Sequence, residues 1–166
     1  MSTVTFKSEP LQIAGDFPQV GQTVPAFTVV GGDLADITRE SLKGKNVVLS
    51  FFPSVDTGVC AMGMRKFNEE AASVADTVIL GISQDLPFAA GRFCSAEGIE
   101  AVQTGSTFRN NEVLEAFGVK IAEGALANIS ARAVVVIDKD SKVLHSELVA
   151  EVTDEPNYEA ALAVLK

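Results

Sequence analysis

Between Asn46 and Phe52 the chain reads NVVLSFF, the near-continuous apolar run of a buried central strand. Pro53 stops that strand, because proline has no N–H to give to the ladder. From Cys60 the pattern changes. Met64, Phe67, Ala71 and Val74 recur at intervals of three and four, with Lys66, Glu69 and Glu70 between them. That spacing predicts an amphipathic helix running to about Ala75. Buried strand, breaker, turn and helix in that order constrain the chain to a layered α/β architecture.

The other segments fit the same plan. Residues 3–13 predict two short strands around Lys7-Ser8-Glu9-Pro10, and Ala26–Val30 another strand ended by Gly31-Gly32-Asp33. Thr77–Ile82 reads as a strand and Leu86–Phe93 as a helix, whose interior Gly91 lowers its propensity by about 1 kcal/mol. A short strand near Ala101–Thr104 and a helix at Glu112–Phe117 with Gly118 as its C-cap follow. Ala131–Asp138 is the strongest strand signal, and Lys142–Val149 its antiparallel partner across Lys139-Asp140-Ser141. Pro156 is expected to start a terminal helix reaching Lys166. There is no repeat, linker or low-complexity tract, so residues 1–166 read as one domain. With 166 residues, 47% of them apolar, a real core can form and intrinsic disorder is excluded.

Charge narrows the partners. Thirteen basic against 22 acidic residues leave a net −9, which offers no footprint to nucleic acid or to an acidic membrane surface. Two cysteines and one histidine cannot fill a four-ligand zinc site without carboxylates, nor build a disulfide-dense scaffold. The first fifteen residues lack an export signal, and no apolar run approaches the ~18 residues of a spanning helix. The expected location is the cytoplasm, where a lasting disulfide is disfavoured. Gly31-Gly32 is followed by no Gly-Lys-Ser/Thr, so no nucleotide cofactor is indicated. His145 has no evident partner for general-base work and reads as structural; Glu69-Glu70 and Asp154-Glu155 read as solvated faces.

Cys60 is the residue with chemistry to explain. A cysteine in a first helical turn lies near unpaired N–H groups and the positive end of the helix dipole, which favour thiolate over thiol. A free thiol of pKa ~8.5 is about 3% ionised at pH 7, so full ionisation gains only ~30-fold, or ~2 kcal/mol. Catalysis needs further groups that stabilise a transition state. Thr57, three residues earlier, can turn its hydroxyl back towards the sulfur, and Pro53 can shield it from water. Equally, Thr57 fits an N-cap, Pro53 a strand terminator, and Cys60 a small buried hydrophobe. Arg132 is a permanent cation at the start of an otherwise buried strand, a placement that calls for a specific anionic partner or a salt bridge at the sheet edge. Arg65 falls on another face of the Cys60 helix and reads as a surface residue.

Pro53-x-x-x-Thr57-x-x-Cys60 resembles the active-site motif of the peroxiredoxins, thiol-dependent peroxidases on a thioredoxin-like fold. More narrowly, the chain is similar to the bacterial thiol peroxidase subfamily of atypical two-cysteine peroxiredoxins. The likeness runs through VTFKSEPLQIAG, PSVDTGVC, RKFNEE, ISQDLPFAAGRFCSAEGIE, LEAFGV, ARAVVVID and SELVAEVTDEPNYEAAL, in order and over almost the whole chain. The resemblance implies a thioredoxin-like α/β fold with a mixed central sheet, flanking helices and an N-terminal β-hairpin. It implies that Cys60 attacks a hydroperoxide and becomes a sulfenic acid, and that Thr57 hydrogen-bonds peroxide and thiolate. Pro53 would screen the sulfenic acid, and Arg132 would hold the thiolate and polarise the peroxide. Cys94 would resolve the sulfenic acid as an intramolecular disulfide, recycled by thioredoxin in a homodimeric enzyme that needs no metal, haem or flavin. Since a disulfide requires Cα atoms within about 7 Å, joining two helices in this way implies local unwinding of both segments, eased by Gly58, Gly63, Gly91 and Gly98.

Three positions depart from the subfamily pattern: Gly58 replaces a proline, Met62-Gly63 replaces Thr-Ser, and Gly124-Ala125-Leu126 replaces Gly-Pro-Leu. Gly58 is expected to loosen the loop, and Met62 to add an oxidisable apolar wall to the pocket. Two rival readings remain. A thiol–disulfide oxidoreductase is weakened by the absence of Cys-x-x-Cys. A redox sensor would use the same sulfenic acid but react once per reduction instead of cycling.

Overall fold

The computed structural model describes residues 2–166. In chain order the strands are β1 (Ser2–Phe6), β2 (Glu9–Ala14), β3 (Thr28–Val30), β4 (Asp36–Thr38), β5 (Asn46–Phe51), β6 (Thr77–Ser83), β7 (Val102–Ser106), β8 (Lys120–Ile121), β9 (Ala133–Ile137) and β10 (Val143–Leu148). The helices are α1 (Gly58–Glu70), α2 (Pro87–Glu97), α3 (Glu112–Ala116) and α4 (Tyr158–Ala163). Seven strands form the main sheet in the order β10-β9-β5-β6-β7-β3-β4. Within it β5, β6 and β7 are parallel, while β9 runs antiparallel to β5 and β3 to β7. The hairpin β1–β2 stands apart and pairs with β8.

The apolar run of β5 explains its central place. Val47, Leu49 and Phe51 face a cluster with Phe27, Leu80 and Phe117, over which α3 packs Val113 and Leu114. Val48 and Phe52 face the opposite cluster, where α1 contributes Cys60, Met64 and Phe67 and α4 contributes Ala161 and Leu162. A strand buried on both faces is what an unbroken apolar sequence encodes. Phe67 is 1% exposed and meets Tyr158 edge to face at 5.1 Å. Losing a phenylalanine of this kind from a core costs about 3–5 kcal/mol, so the later turns of α1 have a firm seat.

The hairpin is joined to the rest by Glu151. Its turn residues Lys7 and Ser8 have φ of 51° and 71°, a conformation that costs non-glycine residues roughly 1–2 kcal/mol each. The Glu151 carboxylate accepts hydrogen bonds from the Ser8 N–H at 2.8 Å and the Thr5 hydroxyl at 2.9 Å. It also accepts from the Thr153 N–H at 2.9 Å and the Thr153 hydroxyl at 2.8 Å. Thr5 and residues 150–152 exchange backbone bonds beside it.

Several elements differ from the sequence expectation. α1 begins at Gly58, two residues before Cys60, and ends at Glu70. There the Ser73 hydroxyl donates to the Glu70 carbonyl and tightens residues 71–73 into a 3-10 turn, after which Val74 is extended. α2 continues past Phe93 to Glu97, because Gly98 supplies the left-handed cap at φ 67°. α4 is shorter than expected. Asn157, not Pro156, caps it by accepting from the Ala160 N–H. β4 and β8, three and two residues long, carry too little alternation to be read from sequence. Gly118 does end α3 at φ 65°, and a Cβ there would collide with the backbone of Asp16 and Phe17. Among the described residues, no helix is long and apolar enough to cross a membrane.

Candidate active site

Cys60 sits in the first turn of α1, directly after the β5 strand and its Pro53 breaker. It is 2% exposed, and Arg132, immediately before β9, is 5% exposed. The antiparallel pairing of β9 with β5 brings Ala133 opposite Phe51, so Arg132 lies beside the loop that leaves β5. Its Nη1 donates to Cys60 Sγ at 3.0 Å, and its Nε donates to the Val152 carbonyl at 2.9 Å. Where the sequence left open an anionic partner or a salt bridge at the sheet edge, the guanidinium meets the buried Cys60 sulfur. A buried guanidinium with two hydrogen bonds in fixed directions is an oriented positive charge beside a buried sulfur.

Thr57 occupies the N-cap position of α1, but its side chain does not cap the helix. Its hydroxyl donates to the Ser54 carbonyl at 2.9 Å, so the capping reading is corrected and the side-chain oxygen keeps its lone pairs. Pro53 is buried at the end of the strand. Pro53, Thr57 and Arg132 share a cavity of about 500 Å³ with the apolar residues Phe6, Leu126, Ile129 and Val152. Cys60 itself faces a cavity of only about 10 Å³ with Phe52, Met64 and Arg132. Arg132 therefore stands between the sulfur and the larger space.

Cys94 lies on α2, half-buried, beside a separate groove formed with Gly31, Asp33, Val102 and Thr104. Both cysteines are free, and burial pushes the Cys94 thiol's pKa up. Cys94 packs against the same apolar cluster that encloses Cys60. Met62 does not wall the large cavity as expected. It is 44% exposed and lies in a different groove with Arg65, Lys66, Glu69, Glu155 and Tyr158. Arg65 is a surface residue paired with Glu97 at 3.2 Å. His145 lies on β10, its buried Nε2 without a hydrogen-bond partner.

Sequence reasoning missed the residues that hold the site from outside. Val152 acts through its carbonyl, which no side-chain pattern can reveal. Glu155 is exposed, as the solvated-face reading expects, and also accepts from the Tyr158 hydroxyl at 3.1 Å. Burial first, and then the Glu155 charge, raise the Tyr158 pKa. Gly63 leaves room for that phenol, since a Cβ there would lie 3.1 Å from its oxygen.

Glu151 adjoins Val152, and its hydrogen bonds to Ser8 and Thr153 hold its pKa down to about 2 against the usual 4.5. A lowered folded-state pKa contributes stability above the unfolded value that is lost as pH falls through the folded one. The hairpin attachment is therefore intact above about 4.5 and released towards about 2. Glu151→Gln should speed amide exchange at Ser8 and Thr153 at neutral pH. It should also flatten the fall in melting temperature between those two pH values. Unchanged exchange at both amides would show that Glu151 does not hold the hairpin.

A redoxin family model matches residues 19–162 of the chain. Thiol peroxidases of Mycobacterium tuberculosis and Mycobacterium bovis are each 49% identical to it over 165 residues, covering 99% of both chains. Among solved structures, a peroxiredoxin-like protein from Aquifex aeolicus superposes with a TM-score of 0.92 at 41% identity, covering 99% of this chain and 96% of that one. A thiol peroxidase from Chromobacterium violaceum does so with 0.91 at 25% identity, covering 98% and 94%. Long matches of that extent, on a fold that seats a buried cysteine against a buried arginine, lead to one conclusion: the chain belongs to the redoxin family and, within it, to the thiol peroxidases, enzymes that reduce peroxides with thiols.

Proposed function

We propose that Cys60 is the peroxidatic nucleophile and Cys94 the resolving thiol of a thioredoxin-recycled peroxidase acting on alkyl hydroperoxides and hydrogen peroxide. The observation that carries this reading is the 3.0 Å hydrogen bond from buried Arg132 to buried Cys60 Sγ. The sulfur attacks the terminal peroxide oxygen, the O–O bond breaks, and the alcohol or water departs with the remaining oxygen and a proton. Negative charge passes from sulfur to the leaving oxygen during that step. The Arg132 guanidinium stabilises both ends of the transfer. Thr57, with its hydrogen spent on Ser54, offers an acceptor to the peroxide O–H. Pro53 and the apolar residues of the large cavity suit an alkyl chain better than a charged substrate.

Cys94 then condenses with the Cys60 sulfenic acid, and thioredoxin reduces the disulfide. The raised Cys94 pKa keeps that thiol protonated until its segment opens, so it supplies the proton that leaves as water. The working unit is one domain, its hairpin tied in through Thr5 and Glu151. Two copies form the homodimer. Leu86, Phe88 and Phe108 support this: they are 49%, 70% and 40% exposed at the start of α2 and in the turn after β7, two segments linked by the Ser106 hydroxyl and the Asp85 carbonyl. A thioredoxin-recycled thiol enzyme fits the cytoplasm, where thiols are kept reduced.

The test is NADPH consumption with thioredoxin, thioredoxin reductase and cumene hydroperoxide, for the wild type and Cys94→Ser. Sustained turnover is expected for the wild type, and a single oxidation of Cys60 without thioredoxin-linked cycling for the variant. A wild type that oxidises once and does not cycle would overturn thioredoxin as the reductant and favour a sensor or a different reductant.

A further inference from the structure

Asp85 joins the two segments that must separate when the disulfide forms. It lies just after β6, and Leu86 is the N-cap of the Cys94 helix. One carboxylate oxygen accepts from the Ser54 hydroxyl at 2.8 Å. The other accepts from the Val55 N–H at 2.9 Å and the Ser83 hydroxyl at 2.7 Å. Ser54 relays the hold, since its hydroxyl accepts from the Asp56 N–H at 3.1 Å and its carbonyl from the Thr57 hydroxyl. The Asp85 carbonyl in turn accepts from the Ser106 hydroxyl. One side chain thus fixes the loop between Pro53 and Cys60, while its own backbone leads directly into α2.

The two ends of α2 are held differently. Its far end is fixed to α1: Arg65 pairs with Glu97, and the Asn68 side chain accepts from the N–H groups of Glu100 and Ala101 at 3.2 and 2.9 Å. Its near end carries the only buried residues of α2, Pro87 and Ala90, beside a 70% exposed Phe88, whereas no residue from 91 to 97 is buried and a Cβ on Gly91 would meet nothing within 4 Å. Segments with few buried contacts open first, so residues 91–97 around Cys94 loosen readily, while the buried start of α2 stays seated as long as Asp85 holds the turn that leads into it.

We propose that Asp85 is a positioning residue, a latch that keeps the Cys60 loop and the start of the Cys94 helix folded for reaction with peroxide and frees both together for disulfide formation. The inference rests on the resolving role given to Cys94. In the step it gates, the Cys94 sulfur bonds to the Cys60 sulfenic sulfur. The S–O bond breaks, and the hydroxyl leaves as water with the Cys94 proton. The sulfenic sulfur is reduced and the thiol sulfur oxidised, so no further reactant is needed. Peroxide reaction and disulfide formation therefore make opposite demands on one carboxylate.

The test is rapid quenching of reduced protein mixed with cumene hydroperoxide, followed by alkylation and mass spectrometry to count sulfenic acid, disulfide and sulfinic acid. Asp85→Asn cannot accept all three hydrogen bonds, and losing a charge-assisted bond predicts about tenfold slower Cys60 oxidation. Disulfide formation should hold its rate or quicken, so the ratio of the two rates rises and the sulfinic fraction falls. A merely structural role would slow both steps alike. Should Asp85→Asn not fold, Ser54→Ala removes one bond and should shift the ratio the same way. Gly91→Ala, with the latch intact, should leave Cys60 oxidation unchanged and slow disulfide formation by up to about fivefold, from about 1 kcal/mol of added helix propensity. A ratio unchanged in the latch variants, with wild-type disulfide present, overturns the latch alone. Absence of a Cys60–Cys94 disulfide in the wild type overturns the resolving assignment and the latch with it.

Discussion

Cys60→Ser should lose hydroperoxide reduction completely, by a factor on the order of 10⁴ or more, while folding as the wild type does. Serine replaces a polarisable sulfur with a hydroxyl that stays protonated under any working condition. Attack by oxygen on a peroxide would also need a new O–O bond in place of the one broken, so no driving force remains. The fold should tolerate the change. The site is buried and the volume similar, and the Arg132 N–H that now meets sulfur would meet a hydroxyl oxygen instead. The measurement is cumene hydroperoxide consumption beside a thermal melt. Retained consumption in a folded variant would remove Cys60 from the chemistry and leave Cys94 as the only thiol to examine. A variant that neither folds nor reacts would return Cys60 to the core as a packing residue.

The part of this fold that sequence reveals is the part that periodicity writes. β5, β6 and β9 are apolar almost throughout because both of their faces are covered, and α1 repeats its buried side chains at three and four residues. The illegible parts are of two kinds. Some elements are too short to carry a pattern, as with the three residues of β4 and the two of β8. Others end where one hydrogen bond decides. α4 starts after Asn157 because that side chain reaches the Ala160 N–H, although Pro156 is the more conspicuous signal.

The candidate site divides in a similar way. Cys60 and Arg132 stand out because a thiol at a helix start and a cation beside a buried strand each demand explanation. Their juxtaposition across 72 residues depends on the pairing of β9 with β5, which a single sequence does not specify. Met62 shows the opposite failure. Two positions from Cys60 on a helix is about 200° around the axis, so nearness in sequence put it on the wrong side of α1. Asp85, Glu151 and Val152 escaped notice because they act by holding backbone, and a carboxylate that accepts amide hydrogens looks in sequence like any surface acid.

Arg132→Lys should slow oxidation of Cys60 by roughly 10- to 100-fold, because one charge is kept and its geometry lost. The guanidinium spans two acceptors at once, the Val152 carbonyl through Nε and the Cys60 sulfur through Nη1. A lysine ammonium on a flexible stem reaches one of them and leaves the other buried without a donor, at a cost of about 1–3 kcal/mol. If it turns to the sulfur, the Val152 segment loses its tie, and the neighbouring hairpin contacts through Thr5 and Glu151 loosen. If it turns to the carbonyl, the sulfur loses the cation it needs during charge transfer. Arg132→Met separates the two contributions, since it keeps a long apolar stem without any charge. A methionine variant slower than the lysine variant by about another tenfold would assign that share to charge and the first loss to the planar fork. Equal rates in the two variants would mean that geometry carries the whole effect. A wild-type rate in both would make Arg132 a structural tie between β9 and residue 152, and the source of nucleophilic assistance to Cys60 would have to lie in the first turn of α1.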